Sequence, residues 1–97
     1  MGRAAAPSRP GAKEIMAAGW DALEDSDTKR ALDLGRAAVK AGGGGPAHFL
    51  LGRALLAAGK KREALAQFEK AAATNPKDKQ AASMAGTVRR LIDEEGS

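Results

Sequence analysis

The chain has 97 residues and a formal net charge of +4, and 23 of its 42 apolar residues are alanine. This length allows one domain, and the lack of cysteine excludes disulfides and cysteine metal sites. Two valines, two isoleucines and no tyrosine are too few of the residues that favour strands, whereas alanine is the best helix former. Composition therefore predicts an all-helical domain.

The N-terminal part of the chain is predicted to form a tail and two helices. Residues 1–11 contain two prolines and two glycines, which break helices, so we expect a flexible tail there. Apolar residues at three- and four-residue steps predict a helix over 12–23. The acidic turn at 25–27 offers caps for a second helix over 28–41. We expect the glycine run 42–45 to end that helix as a loop.

Three more helices are predicted in the C-terminal part. Pro46 suits the first turn of the third helix, where its missing N–H costs nothing, and Gly59 can close that helix in a left-handed conformation. A fourth helix is predicted over 61–74, and Asp78 can cap a fifth that ends near Glu95. Short turns between helices force neighbouring helices to lie antiparallel.

Three glycines recur at a nearly constant step in the first, third and fifth predicted helices. Gly19, Gly52 and Gly86 are 33 and 34 residues apart, and two pairs of alanines also repeat at 33. Glycine inside a helix costs about 1 kcal/mol relative to alanine. We therefore expect another backbone to pass close to each of these glycines.

The region 45–78 carries the fullest version of this repeat. Its repeated positions are Leu51 and Gly52 in the first helix, Ala64, Phe68 and Ala71 in the second helix, and Pro76 after it. In these positions the chain resembles the tetratricopeptide repeat family, although His48 and Leu55 stand where that family has aromatics. The alternative, a generic five-helix bundle whose glycines coincide by accident, does not explain a match that needs no gap.

The rest of the chain resembles the same pattern less closely. Region 12–44 would be a degenerate first repeat that keeps Gly19, Ala31 and Ala38 but has Gly35 in the phenylalanine position. The last helix, over 79–95, would be a capping helix that keeps Gly86. The resemblance then implies an all-α domain over 12–95, in which antiparallel helix pairs stack as a short right-handed superhelix.

The resemblance also implies a function and a site. In this family the first helices of each pair line a concave groove that holds a peptide or a helix of a partner protein, so an adaptor or scaffold module is expected. The family's groove positions correspond to Lys13, Met16, Trp20, Leu23 and Glu24, to Phe49, Arg53, Leu56 and Ala57, and to Ser83, Thr87 and Arg90. The alternative for Trp20 and Phe49 is a core position that fills the gap left by Gly35.

Other chemistry finds little support in the sequence. His48, the single histidine, is expected to pack between helices, and the glycine run 42–45 lacks the Lys-Ser/Thr that follows a phosphate-binding loop. The carboxylates have no metal-ligand spacing. We therefore predict no catalytic residue, metal site or cofactor. The basic runs at 60–62 and 89–90 are predicted to be solvated surface instead of a nucleic-acid site, because three aromatics offer little for base stacking.

The sequence gives some indications of the type of partner and of the location of the protein in the cell. The slots that a chaperone-tail clamp fills with lysine, asparagine and arginine hold Met16, Trp20, Leu50, Gln80 and Met84, so a chaperone C-terminal tail is not the expected partner. Two helix pairs are few for this architecture. Self-association as a homodimer through exposed helix faces, the fifth helix above all, is therefore the second hypothesis. No apolar run is long enough for a membrane span, and a cytoplasmic location is the default.

Overall fold

A computed structural model describes residues 11–96 and gives an all-helical fold. Its helices are α1 (Ala12–Glu24), α2 (Thr28–Lys40), α3 (Gly44–Ala57), α4 (Lys61–Thr74) and α5 (Lys79–Glu95). Within this range there is no strand, which confirms the predicted fold class. The predicted flexible tail lies, except for Gly11, outside the described residues.

The helices pack in chain order, and one further contact joins alternate helices. Each helix packs on the next one along the chain, and α1 also contacts α3 directly. That contact places the first helices of two successive antiparallel pairs side by side, so the pairs are stacked. The stacking puts one face of α1 and one face of α3 next to each other on the same side of the domain.

Three of the four turns end the preceding helix in the same way. Ser26, Gly42 and Gly59 have positive φ angles of 60°, 87° and 81°. The N–H of the residue after each of them donates to the carbonyl five residues earlier: Asp27 to Ala22 at 2.8 Å, Gly43 to Ala38 at 2.9 Å, and Lys60 to Leu55 at 2.9 Å. This is the Schellman arrangement, which satisfies carbonyls left free at a helix C-terminus.

The predicted aspartate caps are present at two helix starts. Asp27 accepts a hydrogen bond from the Arg30 N–H at 3.2 Å, and Asp78 accepts from the N–H groups of Gln80 and Ala81 at 3.0 and 3.2 Å. Each cap satisfies N–H groups that have no partner inside the helix. These caps explain why α2 and α5 begin where the sequence predicts.

The glycine run 42–45 is not entirely a loop, which corrects the sequence prediction. The turn of α2 is completed by the N–H of Gly43, and α3 already begins at Gly44. Gly45 is buried in α3, where a side chain would lie 3.5 Å from the Ala71 carbonyl of α4. The packing of α3 on the end of α4 therefore extends α3 toward its N-terminus.

The buried apolar residues form two clusters. The larger cluster joins α3, α4 and α5 and comprises Phe49, Leu51, Leu55, Ala64, Phe68, Ala71, Ala81, Ala85 and Val88. The smaller cluster joins α1, α2 and α3 through Ala22, Ala31 and Ala54. Small side chains dominate the second cluster, so helices α1 to α3 can approach closely there. The predicted structural positions Ala31, Leu51, Ala64, Phe68 and Ala71 are all buried, whereas Pro76 is exposed.

The mid-helix glycines make room for side chains instead of backbones. A Cβ at Gly52 would lie 2.7 Å from Cε1 of Phe68, and a Cβ at Gly19 would lie 2.6 Å from Cδ2 of Leu50. The expectation of a neighbouring backbone is therefore wrong at both positions. A close backbone is found instead at Gly35, for which the sequence predicts none: a Cβ there would lie 3.0 Å from Cα of Leu51.

Gly86 departs further from the prediction. It is exposed, and a Cβ built there would meet no atom within 4 Å. The physical reason is that α5 is the last helix of the stack, so no later helix in the described part of the chain packs on the side that Gly86 faces. Gly86 therefore has the sequence spacing of the other two mid-helix glycines, but no side chain or backbone of another helix packs against it.

Candidate functional site: a groove between the first helices

A groove of about 610 Å³ lies between α1, α3 and α5. Its lining residues are Trp20, Leu23 and Glu24 from α1, Arg53, Leu56 and Ala57 from α3, and Met84 from α5. We refer to these seven residues as the groove. All seven come from the first, third and fifth helices, so the groove is built by the elements in which the sequence resemblance placed it.

The internal repeat explains how α1 and α3 contribute matching side chains. Trp20, Leu23 and Glu24 have the spacing i, i+3 and i+4, which puts them on one face of a helix. Arg53, Leu56 and Ala57 follow at a distance of 33 residues each. Because α1 and α3 contact each other, these two equivalent faces lie side by side and form one continuous surface.

Trp20 is the most exposed large apolar side chain in the described residues, with 37% of its surface accessible. Its ring centroid is 6.0 Å from that of Phe49, with an angle of 40° between the ring planes. Phe49 is in turn 5.4 Å from Phe68 in an edge-on arrangement. The indole therefore rests on the buried aromatic residues and presents its other side to the groove.

The sequence leaves two positions open for Phe49, the groove and the core, and the structure places it in the core. Only 8% of its surface is accessible, and it belongs to the larger buried cluster. The reason is its position between the rings of Trp20 and Phe68, which cover it from both sides. Phe49 supports the groove wall without forming its surface.

Five other predicted residues lie outside the groove. None of them lines the cavity: Lys13, Ser83 and Arg90 are exposed, and Met16 and Thr87 are half-buried. The cavity lies at the C-terminal ends of α1 and α3, whereas Lys13 and Met16 are one to two turns nearer the start of α1. Arg90 follows Met84 by six residues, which places it further along α5 than the cavity extends.

Met84 is the groove residue that the sequence does not assign to the groove. Its equivalent in the preceding repeat is Leu50, which is fully buried and fills the space at Gly19. In the next repeat the corresponding space at Gly52 is filled by the ring of Phe68. Because Phe68 already fills the space at Gly52, Met84 does not fill it as Leu50 fills the space at Gly19. The Met84 side chain therefore stays half-buried beside the groove. The sequence signal for the different filling of the two spaces is Gly35. It occupies the position in region 12–44 that Phe68 occupies in region 45–78.

The charged residues of the groove carry no ion pair among the described residues. Elsewhere Lys60 lies 4.0 Å from Glu63, Lys61 pairs with Glu95, and Arg89 pairs with Glu69. Part of the basic surface predicted at 60–62 and 89–90 is therefore neutralised by neighbouring carboxylates. Arg53 and Glu24 line the same cavity without reaching each other, so both remain open to an external partner.

The described residues show no alternative site with a clear chemistry. His48 is half-buried, as expected for a packing residue, and its Nδ1 lies 2.7 Å from Oε1 of Gln67. Residues 11–96 contain no cluster of three or more histidine or acidic side chains that would hold a metal ion. None of the helices in that range combines the length and the apolar character that a membrane span requires.

Comparison with known proteins agrees with this architecture. Residues 45–78 match the family model described as tetratricopeptide repeat. No curated protein matches the chain in sequence. The match covers α3 and α4 with the turn between them, and it includes Arg53, Leu56 and Ala57 of the groove. Such repeats indicate protein–protein interaction modules and are typically not enzymatic. Residues 45–78 are thus similar to a tetratricopeptide repeat, and the all-helical fold around them is consistent with the tetratricopeptide repeat family.

Proposed function

We propose that the chain binds a helix or an extended segment of a partner protein in the groove. The observation that carries this proposal is the exposure of Trp20 at the wall of a 610 Å³ cavity. Tryptophan and arginine are the residues most enriched among interface hot spots, and the groove contains one of each. An exposed aromatic beside other apolar groups is typical of a surface that another molecule covers.

The composition of the groove favours a protein segment as its occupant. Leu23, Leu56 and Met84 supply apolar surface next to Trp20, and only two side chains in the groove are charged. An amphipathic helix docks in this way, with apolar anchors at i, i+3 or i+4 and polar residues turned outward. Methionine adds a flexible apolar side chain that adapts to different anchors. The groove therefore resembles a docking trough more than a site with several converging polar groups.

Site-directed cross-linking tests the proposal directly, because the chain has no cysteine of its own. Ala57→Cys places a single thiol in the groove, and Ala37→Cys places one on the exposed face of α2 as a matched control. Both variants carry the same thiol-specific photo-cross-linker and are exposed to lysate of the source cells. We expect a discrete adduct from the groove thiol that is absent from the control thiol.

Adding Trp20→Ala to the Ala57→Cys protein serves as the second arm of the experiment. The adduct should be lost in this double variant, while circular dichroism shows unchanged helicity. Equal adducts from both thiol positions, or none from either, would exclude groove binding. An adduct of twice the chain's own mass, identified by mass spectrometry, would support the self-association hypothesis instead.

A further inference from the structure

Arg53 has a special place in the groove because it is the single charged residue of α3. The helix reads GGPAHFLLGRALLA, so it has no carboxylate that could pair with Arg53 along its own surface. Arg53 is exposed and makes no ion pair with another described residue, whereas Arg89, Lys60 and Lys61 each have a carboxylate partner. A guanidinium can hold a carboxylate from outside by two parallel hydrogen bonds.

Glu24 is the complementary charge on the other side of the groove. It is exposed, lies in the last turn of α1 and makes no ion pair with a described residue. The C-terminal end of a helix carries partial negative charge, so a carboxylate there gains from an approaching cation. One cavity therefore holds two separate positions for charged groups of a partner: Glu24 can bind a basic group and Arg53 an acidic one.

We infer that the groove takes an amphipathic helix bearing an acidic and a basic side chain about two turns apart, with a large apolar anchor between them. This inference rests on the proposed function and specifies its partner. The acidic side chain would meet Arg53, the basic one would meet Glu24, and the anchor would lie against Trp20. Because the two charges differ in sign, they also fix the direction in which the helix lies.

The spacing follows from the geometry of the repeat. Glu24 corresponds to Ala57 in the next repeat, four residues after Arg53, so the two charges are displaced along the helix axes by about 6 Å at a rise of about 1.5 Å per residue. Neighbouring helix axes lie about 8–10 Å apart. The diagonal is then about 10–12 Å, which corresponds to about seven residues of a partner helix.

A display library of 14-residue helical peptides, randomised on one face, provides the probe. It is selected in parallel on the wild-type chain and on Arg53→Glu, a variant in which both charged residues of the groove are acidic. Peptides selected on wild type should carry an acid and a base about seven residues apart around an apolar anchor. Peptides selected on Arg53→Glu should carry two basic residues at that spacing, a change that reversing the direction of the helix cannot replace. We expect at least a tenfold loss of affinity when each set is tested on the other protein.

The matched control reverses a positive charge outside the groove. Arg36→Glu makes the same change of charge on the exposed face of α2. Wild-type peptides should bind this control as they bind the wild-type chain. Selected peptides that need Trp20 but show the same charges on both proteins would overturn this inference and leave the proposed function standing. If no peptide binds any of the folded proteins, the proposed function fails as well.

Discussion

The ring of Trp20 lies 6.0 Å from the ring of Phe49, which joins the surface of the groove to the core. Phe49 continues the contact to Phe68 at 5.4 Å, so the three aromatic residues of the chain form one line. Exposure falls along this line from 37% to 8% and then to 0%. The position of the groove wall therefore depends on packing between α3 and α4.

Replacing Phe49 and replacing Trp20 should have different consequences. Phe49→Ala should reduce the free energy of unfolding by about 3 kcal/mol, since it removes a buried ring between two others. Trp20→Ala should cost clearly less, because more than a third of the indole is already exposed. Urea unfolding followed by circular dichroism measures both. Equal losses would mean that Trp20 is a core residue and that the groove wall is misassigned.

The contact between Trp20 and Phe49 can be followed by the fluorescence of Trp20. Trp20 is the only tryptophan and there is no tyrosine, so intrinsic fluorescence excited at the indole band comes from one residue. In Phe49→Leu the indole loses its ring partner, and we expect its emission to shift to longer wavelength with greater quenching by acrylamide. A Leu65→Ala variant, on α4 and away from the indole, is the control. An unchanged spectrum in the Phe49 variant would contradict the ring contact.

Ser26 occupies a turn position that favours glycine. It has a φ of 60°, and the two equivalent turns carry Gly42 and Gly59 there. A left-handed conformation costs a residue with a Cβ about 1–2 kcal/mol, and glycine avoids this cost. Glycine also makes the unfolded chain more flexible, which offsets part of the stabilisation. We expect Ser26→Gly to stabilise the fold by roughly 0.5–1 kcal/mol.

Thermal and urea unfolding would measure this effect, with Gly59→Ser as the reverse control. The control should be destabilised by a similar amount, since it introduces the same strain at the equivalent turn. A Ser26→Gly protein that is less stable than wild type would show that the serine side chain stabilises the turn more than its conformation strains it.

Much of the fold can be predicted from the sequence because its signals are local. The caps at Asp27 and Asp78 and the left-handed glycines 42 and 59 act within one turn of a helix end, so helix bounds follow from short stretches. The glycine run shows the limit of this reasoning. Whether Gly44 and Gly45 belong to α3 depends on the packing of that helix on α4, which no local pattern contains.

The groove is only partly predictable for a similar reason. The repeat places Trp20, Leu23, Arg53 and Leu56 on equivalent faces, and the structure brings these four together. Phe49 and Met84 depend on which side chain fills the space at each mid-helix glycine. Leu50 fills it at Gly19 and Phe68 fills it at Gly52, and this choice is a matter of tertiary packing.

The cap of α5 should matter for the stability of the last helix. Asp78 accepts hydrogen bonds from two backbone N–H groups, so Asp78→Ala should lower the free energy of unfolding by about 1 kcal/mol. Asp78→Asn keeps an acceptor oxygen in place and should retain most of the stability. Hydrogen exchange of the first turn of α5 would localise the loss. Equal behaviour of the alanine and asparagine variants would show that the cap contributes little.

Gly52 and Gly86 are equivalent in sequence and should respond in opposite directions to the same substitution. Gly86 is exposed with open space around it, so Gly86→Ala should raise the free energy of unfolding by about 0.5–1 kcal/mol through helix propensity alone. At Gly52 a Cβ would lie 2.7 Å from the ring of Phe68. That ring is fully buried and held by Phe49, so it has little room to move.

Overpacking of this kind typically costs about 1–3 kcal/mol, which exceeds the gain in helix propensity. Gly52→Ala should therefore unfold at a lower urea concentration than wild type, and Gly86→Ala at a higher one. The dependence of the unfolding free energy on urea should stay unchanged in both variants, because each should expose the same surface on unfolding. If Gly86→Ala were also destabilising, its side of α5 would have to be covered in solution, and the self-association hypothesis would then gain direct support.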